Sequence, residues 1–188
     1  LDTTRGVTNY ISTNLSNAQG TSGQGLQSFD ADGFTVGNDG AWNQNGETYV
    51  AWCWKANAGT TSSNTDGSIT STVQANTKAG FSIVTYTGTG STGTYGHGLS
   101  SAPDFIITKK ISSAESWIVW SSSLSASNYM YLNGTGAVGT DTNAYKTIGA
   151  TTNEIGSDGT VNTSGQTYVA YCFRNVAGYS KIGTYTGN

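Results

Sequence analysis

Charge is scarce in this sequence. Its 188 residues carry eight Lys and Arg and eleven Asp and Glu, for a net charge of −3. No basic stripe exists, and Lys109-Lys110 stands as an isolated pair. Neutralising a phosphate backbone takes several clustered cations, so nucleic acid is not expected as a partner. No apolar run approaches membrane-spanning length and no signal peptide is visible, so membrane insertion is not expected. Proline occurs once. Runs rich in Leu, Glu, Lys and Ala are missing, which argues against long helices.

Histidine and cysteine are nearly absent too. His97 is the single histidine, and the two cysteines are Cys53 and Cys172. Zinc needs several His or Cys ligands, and a triad needs Ser, His and a carboxylate with a nucleophile-elbow pattern; neither set is present. Asp30-Ala31-Asp32-Gly33 lacks the later bidentate Glu of a calcium loop. Glycoside hydrolysis needs two facing carboxylates, and Glu47, Asp104, Glu115 and Glu154 are scattered, with Gln166 standing where Glu47 has its counterpart. No catalytic residue, metal site or cofactor is therefore assigned, and the chain is read as non-enzymatic. A disulfide would require two equivalent strands to lie side by side, so both cysteines are expected as buried free thiols.

Gly, Ser, Thr and Asn are abundant, and among them Tyr, Trp, Thr and Val recur in clusters suited to strands. The clusters can bury enough surface to offset chain entropy, which separates this chain from a disordered one. One pattern occurs twice: Gly46-Glu47-Thr48-Tyr49-Val50-Ala51-Trp52-Cys53-Trp54-Lys55 and Gly165-Gln166-Thr167-Tyr168-Val169-Ala170-Tyr171-Cys172-Phe173-Arg174. Alternation puts Tyr49, Ala51 and Cys53 on one face and Val50, Trp52 and Trp54 on the other. Both faces are apolar, so each copy is predicted as a buried strand between two layers.

The repeat extends further. Gly37–Gly59 and Gly156–Gly178 match without a gap, at an offset of 165 − 46 = 119 residues. Tyr131-Leu132-Asn133 is matched to Tyr10-Ile11-Ser12. Ile83-Val84-Thr85-Tyr86-Thr87-Gly88 returns as Ile182-Gly183-Thr184-Tyr185-Thr186-Gly187, at an offset of 187 − 88 = 99. Such self-similarity marks internal duplication. Residues 1–59 are read as the back part of a first β module, 60–79 as a linker or insert, 80–178 as one complete module, and 179–188 as the opening strand of another. The complete module should hold seven to nine short strands: Phe81–Thr87, Phe105–Lys109, Trp117–Trp120 and Tyr129–Leu132 are among them. The expected fold is all-β, an antiparallel sandwich or jelly-roll-like module, duplicated with one incomplete copy. Asn38-Asp39-Gly40 and Asn45-Gly46 read as hairpin-type turns. The chain opens on Leu1 rather than Met, and is expected to be a fragment or a processed product.

Aromatic side chains are the best candidates for recognition, since Tyr and Trp can stack on sugar rings. Most lie at alternating strand positions suited to a core. Tyr95, His97 and Tyr129 lie nearer loops and are the candidate ligand-binding residues. Tyr179, Ile182 and Tyr185 are candidates for an assembly strand that completes a neighbouring sheet.

Several ordered motifs resemble a module of tailed-bacteriophage virion proteins, marine ones especially. They are Phe81–Gly88, Gly96-His97-Gly98-Leu99, Ala102-Pro103-Asp104-Phe105-Ile106-Ile107, Gly165–Phe173 and the close Gly178–Asn188, with Asp2-Thr3-Thr4-Arg5-Gly6 near the start. The likeness covers nearly the whole chain and is weak in Thr60–Lys78 and Asn133–Thr152. It implies a structural protein of the extracellular particle, in a tail, fibre or surface position. It brings no catalytic residues, and the truncated first copy departs from its pattern. The expected partners are further copies of the chain or other virion proteins, with a cell-surface glycan as an additional one. A carbohydrate-binding module of a secreted or surface protein is the alternative.

Overall fold

A computed structural model describes residues 1–57 and 59–188; Ala58, inside the first repeat, lies outside the described residues. The first 43 residues form β1 (Asn9–Tyr10), β2 (Gly20–Thr21), β3 (Leu26–Phe29), β4 (Phe34–Val36) and the one-turn helix α1 (Gly40–Asn43). Next come β5 (Ser62–Asn64), β6 (Ser71–Asn76), β7 (Phe81–Thr87), β8 (Gly93–Gly96), β9 (Phe105–Lys110) and β10 (Ile118–Ser121). The series closes with β11 (Asn128–Tyr131), β12 (Gly139–Thr140), β13 (Tyr145–Ile148), β14 (Thr152–Ile155), helix α2 (Gly159–Asn162) and β15 (Thr167–Phe173). The protein is all-β with antiparallel sheets, and residues 80–178 hold nine of the strands.

Eight strands form one sheet in the order β12-β11-β10-β9-β15-β7-β6-β5, and β13-β14-β8 form a second. A core fills the space between them: Val73, Val84, Tyr86, Ile106, Ile118, Trp120, Tyr168, Ala170 and Cys172 from the large sheet meet Tyr95, Tyr145 and Ile155 from the small one. Tyr86 stacks between Tyr95 at 4.5 Å and Tyr168 at 5.2 Å, both at 12° between planes. Such pairs add about 0.5–1.5 kcal/mol each beyond area burial. The phenols keep their polar ends bonded, Tyr86 to Val161 O and Tyr168 to Gly159 O.

The opposite face of the large sheet is apolar as well, and the start of the chain covers it. Ile11 and Ala56 join Phe81, Ile83, Trp117 and Val169 in a second cluster. Trp117 Nε1 donates to Ser12 O, and Gln19 N donates to Ile111 O. The early part of residues 1–59 thus packs against the sheet of residues 80–178.

The stretch read as a linker is partly structural. Its β5 and β6 extend the large sheet beyond β7, with Val73 facing the core. Six alternating residues, Ser71 to Asn76, find a ready edge in β7, which outweighs their weak strand propensity.

The duplication is structural at the offset of 119. β1–β2 corresponds to β11–β12, β3–β4 to β13–β14 and α1 to α2. Tyr10 pairs with Gly20 as Tyr129 pairs with Gly139, and in each pair a Cβ on the glycine would strike the tyrosine ring. Tyr10 therefore corresponds to Tyr129, which corrects the match to Tyr131. Asp39-Gly40 and Asp158-Gly159 are helix starts rather than hairpin turns: each Asp caps its helix, accepting from Ala41 N or Thr160 N. An Asx cap and an Asx turn begin with the same local bond, which is why the sequence did not separate them.

Asn162 and its counterpart Asn43 share one bond. Asn162 Nδ2 donates to Gly156 O at 2.7 Å and Ser91 O at 2.6 Å, and its Oδ1 accepts from Thr89 N at 2.7 Å. Asn43 repeats the first of these, to Gly37 O at 2.8 Å, but is exposed. Asn162→Ala removes one buried and two part-buried hydrogen bonds to the backbone, and should cost about 2–4 kcal/mol in urea denaturation, against less than about 1 kcal/mol for Asn43→Ala. Equal losses in the two variants would contradict this account.

Candidate functional site

The two copies of the organising pattern part company here. Thr167–Phe173 is β15, paired with β7 along one edge and β9 along the other. Tyr168, Ala170 and Cys172 face the inner core, while Val169, Tyr171 and Phe173 face the outer cluster. This is the two-faced buried strand that alternation predicts. Glu47–Lys55 was predicted to be the same and is not. It has no strand pairing and lies exposed, with Val50 at 77 % and Trp52 at 76 % of full accessibility. The cause is partnership. A strand is held by neighbours on its edges, and among the described residues Thr48–Trp54 makes no backbone hydrogen bond to another segment.

The exposed segment nevertheless keeps part of the geometry of its buried counterpart. Tyr49 Oη donates to Gly40 O at 3.0 Å and accepts from Gln44 N at 2.9 Å. Tyr168 makes the equivalent bonds to Gly159 O at 2.9 Å and from Thr163 N at 2.7 Å. The helix that precedes each segment therefore fixes its tyrosine in the same way. At the far end, Trp54 sets its edge on the Phe173 ring at 5.8 Å.

The cysteines differ for the same reason. Cys172 is buried, and burial pushes its thiol up to about 12, so it is an inert core group. Cys53 was expected to be buried and is an exposed free thiol, because the sheet that would cover it is not formed around it.

The candidate recognition residues fall in three environments. Tyr95 is wholly buried in β8, stacked on Tyr86 and bonded to Asn153 Nδ2 at 3.2 Å. His97 is buried immediately after β8. Its Nδ1 accepts from Leu99 N at 3.1 Å and its Nε2 meets Gly149 O at 3.2 Å. That set fixes a neutral ring with the proton on Nε2, and burial lowers its pKa. Tyr129 is half-buried in β11, on the large sheet, with its ring edge-on to Tyr131 at 5.1 Å. Tyr95 and His97 thus offer no open face to a ligand, whereas Tyr129 is partly accessible. Among the described residues no three His, Cys, Asp or Glu side chains converge as metal ligands would.

The assembly candidates are at the surface. Tyr185 is 94 % exposed, Tyr179 is exposed and Ile182 half-buried, in a tail without strand pairing. The tail is rooted beside β15: Ser180 bridges to Val176, and Ile182 N donates to Asn175 Oδ1 at 2.5 Å.

Two features escaped sequence reading. Arg5 Nε meets Asp2 Oδ2 at 2.6 Å and Tyr171 Oη donates to the same carboxylate oxygen at 2.7 Å, tying the start of the chain to the outer face of β15. Burial opposes the Arg5 charge, but Tyr171 and Asp2 outweigh it and raise its pKa. Nothing in the sequence joins residues so far apart. The second is Lys109, which is fully buried with Nζ donating to Lys110 O at 2.5 Å. Strict alternation from Phe105 and Ile107 puts Lys109 on an apolar face, a signal that was present.

Burial brings the Lys109 ammonium down to about 8, against the pull of Glu115. A cation whose folded pKa is depressed binds fewer protons in the folded state between that value and its ordinary one. The Lys109 contribution to stability should therefore rise as pH rises from about 8 to 10.5, by about 1–3 kcal/mol. The buried tyrosines Tyr86, Tyr95, Tyr145 and Tyr171 set the opposite trend, since their raised pKa values make the folded state bind more protons. Thermal melts across that range should show the native protein gaining stability relative to Lys109→Met, since the tyrosine effect is common to both. A Lys109→Met protein with the same pH profile as the native one would contradict the assignment.

A family profile described as "Domain of unknown function (DUF7483)" matches residues 1–188. No curated protein and no solved structure matches the chain. The profile runs through both copies of the repeat, the buried strand and the exposed one alike, and the chain belongs to the DUF7483 family.

Proposed function

We propose that this chain is a non-enzymatic structural module of a bacteriophage virion, placed in a tail, fibre or particle surface. It acts in assembly, with attachment to the host surface as an additional role. One observation carries the reading: Glu47–Lys55 has the sequence of a central strand and, among the described residues, pairs with no other strand. An unpaired apolar strand is a template for pairing with another chain. A large exposed aromatic surface of this kind marks an interaction site. The motifs that resemble tailed-phage virion modules give the setting. Low charge and Gly/Ser/Thr-rich loops fit a protein that packs beside others in an extracellular particle.

A second reading draws on the same residues. Exposed Trp52 and Trp54 could stack on sugar rings, as in a carbohydrate-binding module. The two readings separate in one experiment, analytical ultracentrifugation of the native chain and of Trp52→Ser with and without a glycan panel. Assembly predicts self-association with micromolar dissociation, weakened at least tenfold by Trp52→Ser and indifferent to glycan. A chain that stays monomeric at high concentration while Trp52 fluorescence titrates with a glycan would replace the first reading with the second.

A further inference from the structure

The tail Lys181–Gly187 repeats β7, and Thr48–Cys53 repeats β15. β7 and β15 are neighbours in the large sheet, so their register states what the two unpaired copies should do. In the complete module Tyr168 pairs with Tyr86, Val169 with Thr85, Ala170 with Val84, Tyr171 with Ile83 and Cys172 with Ser82. The offsets of 119 and 99 convert these pairs into Tyr49 with Tyr185, Val50 with Thr184, Ala51 with Gly183, Trp52 with Ile182 and Cys53 with Lys181. We propose that the tail of one copy adds as an antiparallel strand to Thr48–Cys53 of a second copy, in this register. The inference rests on the assembly reading above and names its acceptor, its donor and their alignment.

Three observations support it. First, the acceptor is already shaped: Tyr49 holds both hydrogen bonds that Tyr168 makes in the paired state. Tyr86 stacks on Tyr168 there, so an arriving Tyr185 would stack on Tyr49. Second, the contact past the strand has a counterpart. Gly88 N donates to Gln166 O and Thr89 N to Asn162 Oδ1. Gly187 and Asn188 stand at the same offset from Glu47 and Asn43, and Asn43 is held by the bond that Asn162 makes to its own glycine. Third, both segments belong to one copy and do not pair within it: Tyr185 and Trp52 are each left facing water. A second copy supplies the missing neighbour.

The side chains permit the addition. Ile182 would lie against Trp52 on the outer face. Gly183 opposite Ala51 has less bulk than Val84 opposite Ala170, which narrows the inner face. Reciprocal exchange between two copies closes a two-fold dimer, and one-way exchange builds a chain of copies.

The test is cysteine cross-linking of the full chain in a Cys53→Ser background. Val50→Cys with Thr184→Cys places the thiols at facing positions, as Val169 faces Thr85. Val50→Cys with Gly183→Cys, or with Tyr185→Cys, shifts the partner by one residue and turns it to the other face. Mild oxidation, gel separation and peptide mass spectrometry identify the bonds. The proposal expects a disulfide between copies for the 50–184 pair, at least tenfold more abundant than for either shifted pair. Equal yields in all three, or a disulfide confined within one chain, would overturn it. If ultracentrifugation shows assembly but no 50–184 bond forms, the exchange fails and the assembly reading stands; a chain that remains monomeric sinks both.

Discussion

An extended backbone carries N–H and C=O groups along both edges, and water or another strand must take them. That requirement decides the structure of this protein more than any single side chain does. β15 meets it twice, with β7 and β9, and then buries residues on both faces. Its near-copy, Thr48–Trp54, has the same alternation and as many aromatics but leaves the requirement to water, since among the described residues no strand pairs with it. Propensity and pattern are thus equal in the two segments, and tertiary partnership sets their fates apart.

The remainder of the fold arranges itself around β15. The inner face supports the tyrosine stack and the small sheet, and the outer face holds Ile11, Ala56 and the Asp2–Arg5 pair. The first copy of the repeat is therefore not idle. Its opening residues shield a surface that would otherwise be wet, and its helix α1 still positions Tyr49 as α2 positions Tyr168. Local structure in the first copy survives because it is made of contacts within the segment: an Asx cap, an Asn bridge and a tyrosine over a glycine. What is lost is the strand whose partners lie far away in sequence.

This division explains what could be read from residues alone. The all-β class, the duplication, β7, β9, β10, β11 and the two faces of β15 follow from alternation, which is local. The role of Asp39 and Asp158 as helix caps was hidden because caps and turns share their first bond. The burial of Lys109 was visible in its spacing from Ile107 but conflicts with the usual preference of lysine for water. The link between Arg5 and Tyr171 had no local signal. Exposure of Trp52 and Cys53 was the opposite of what pattern implies, because pattern describes the state a strand takes once neighbours are present. Tyr95 and His97 looked loop-like from their glycines, yet β14 pairs with β8 and encloses them.

Hydrogen–deuterium exchange reads the central claim directly, since it reports which backbone amides have partners. In dilute solution the amides of Tyr168–Cys172 should persist orders of magnitude longer than those of Tyr49–Cys53, and the second set should slow as concentration rises. Protection of Tyr49–Cys53 in the dilute monomer, or its absence at every concentration, would contradict the account.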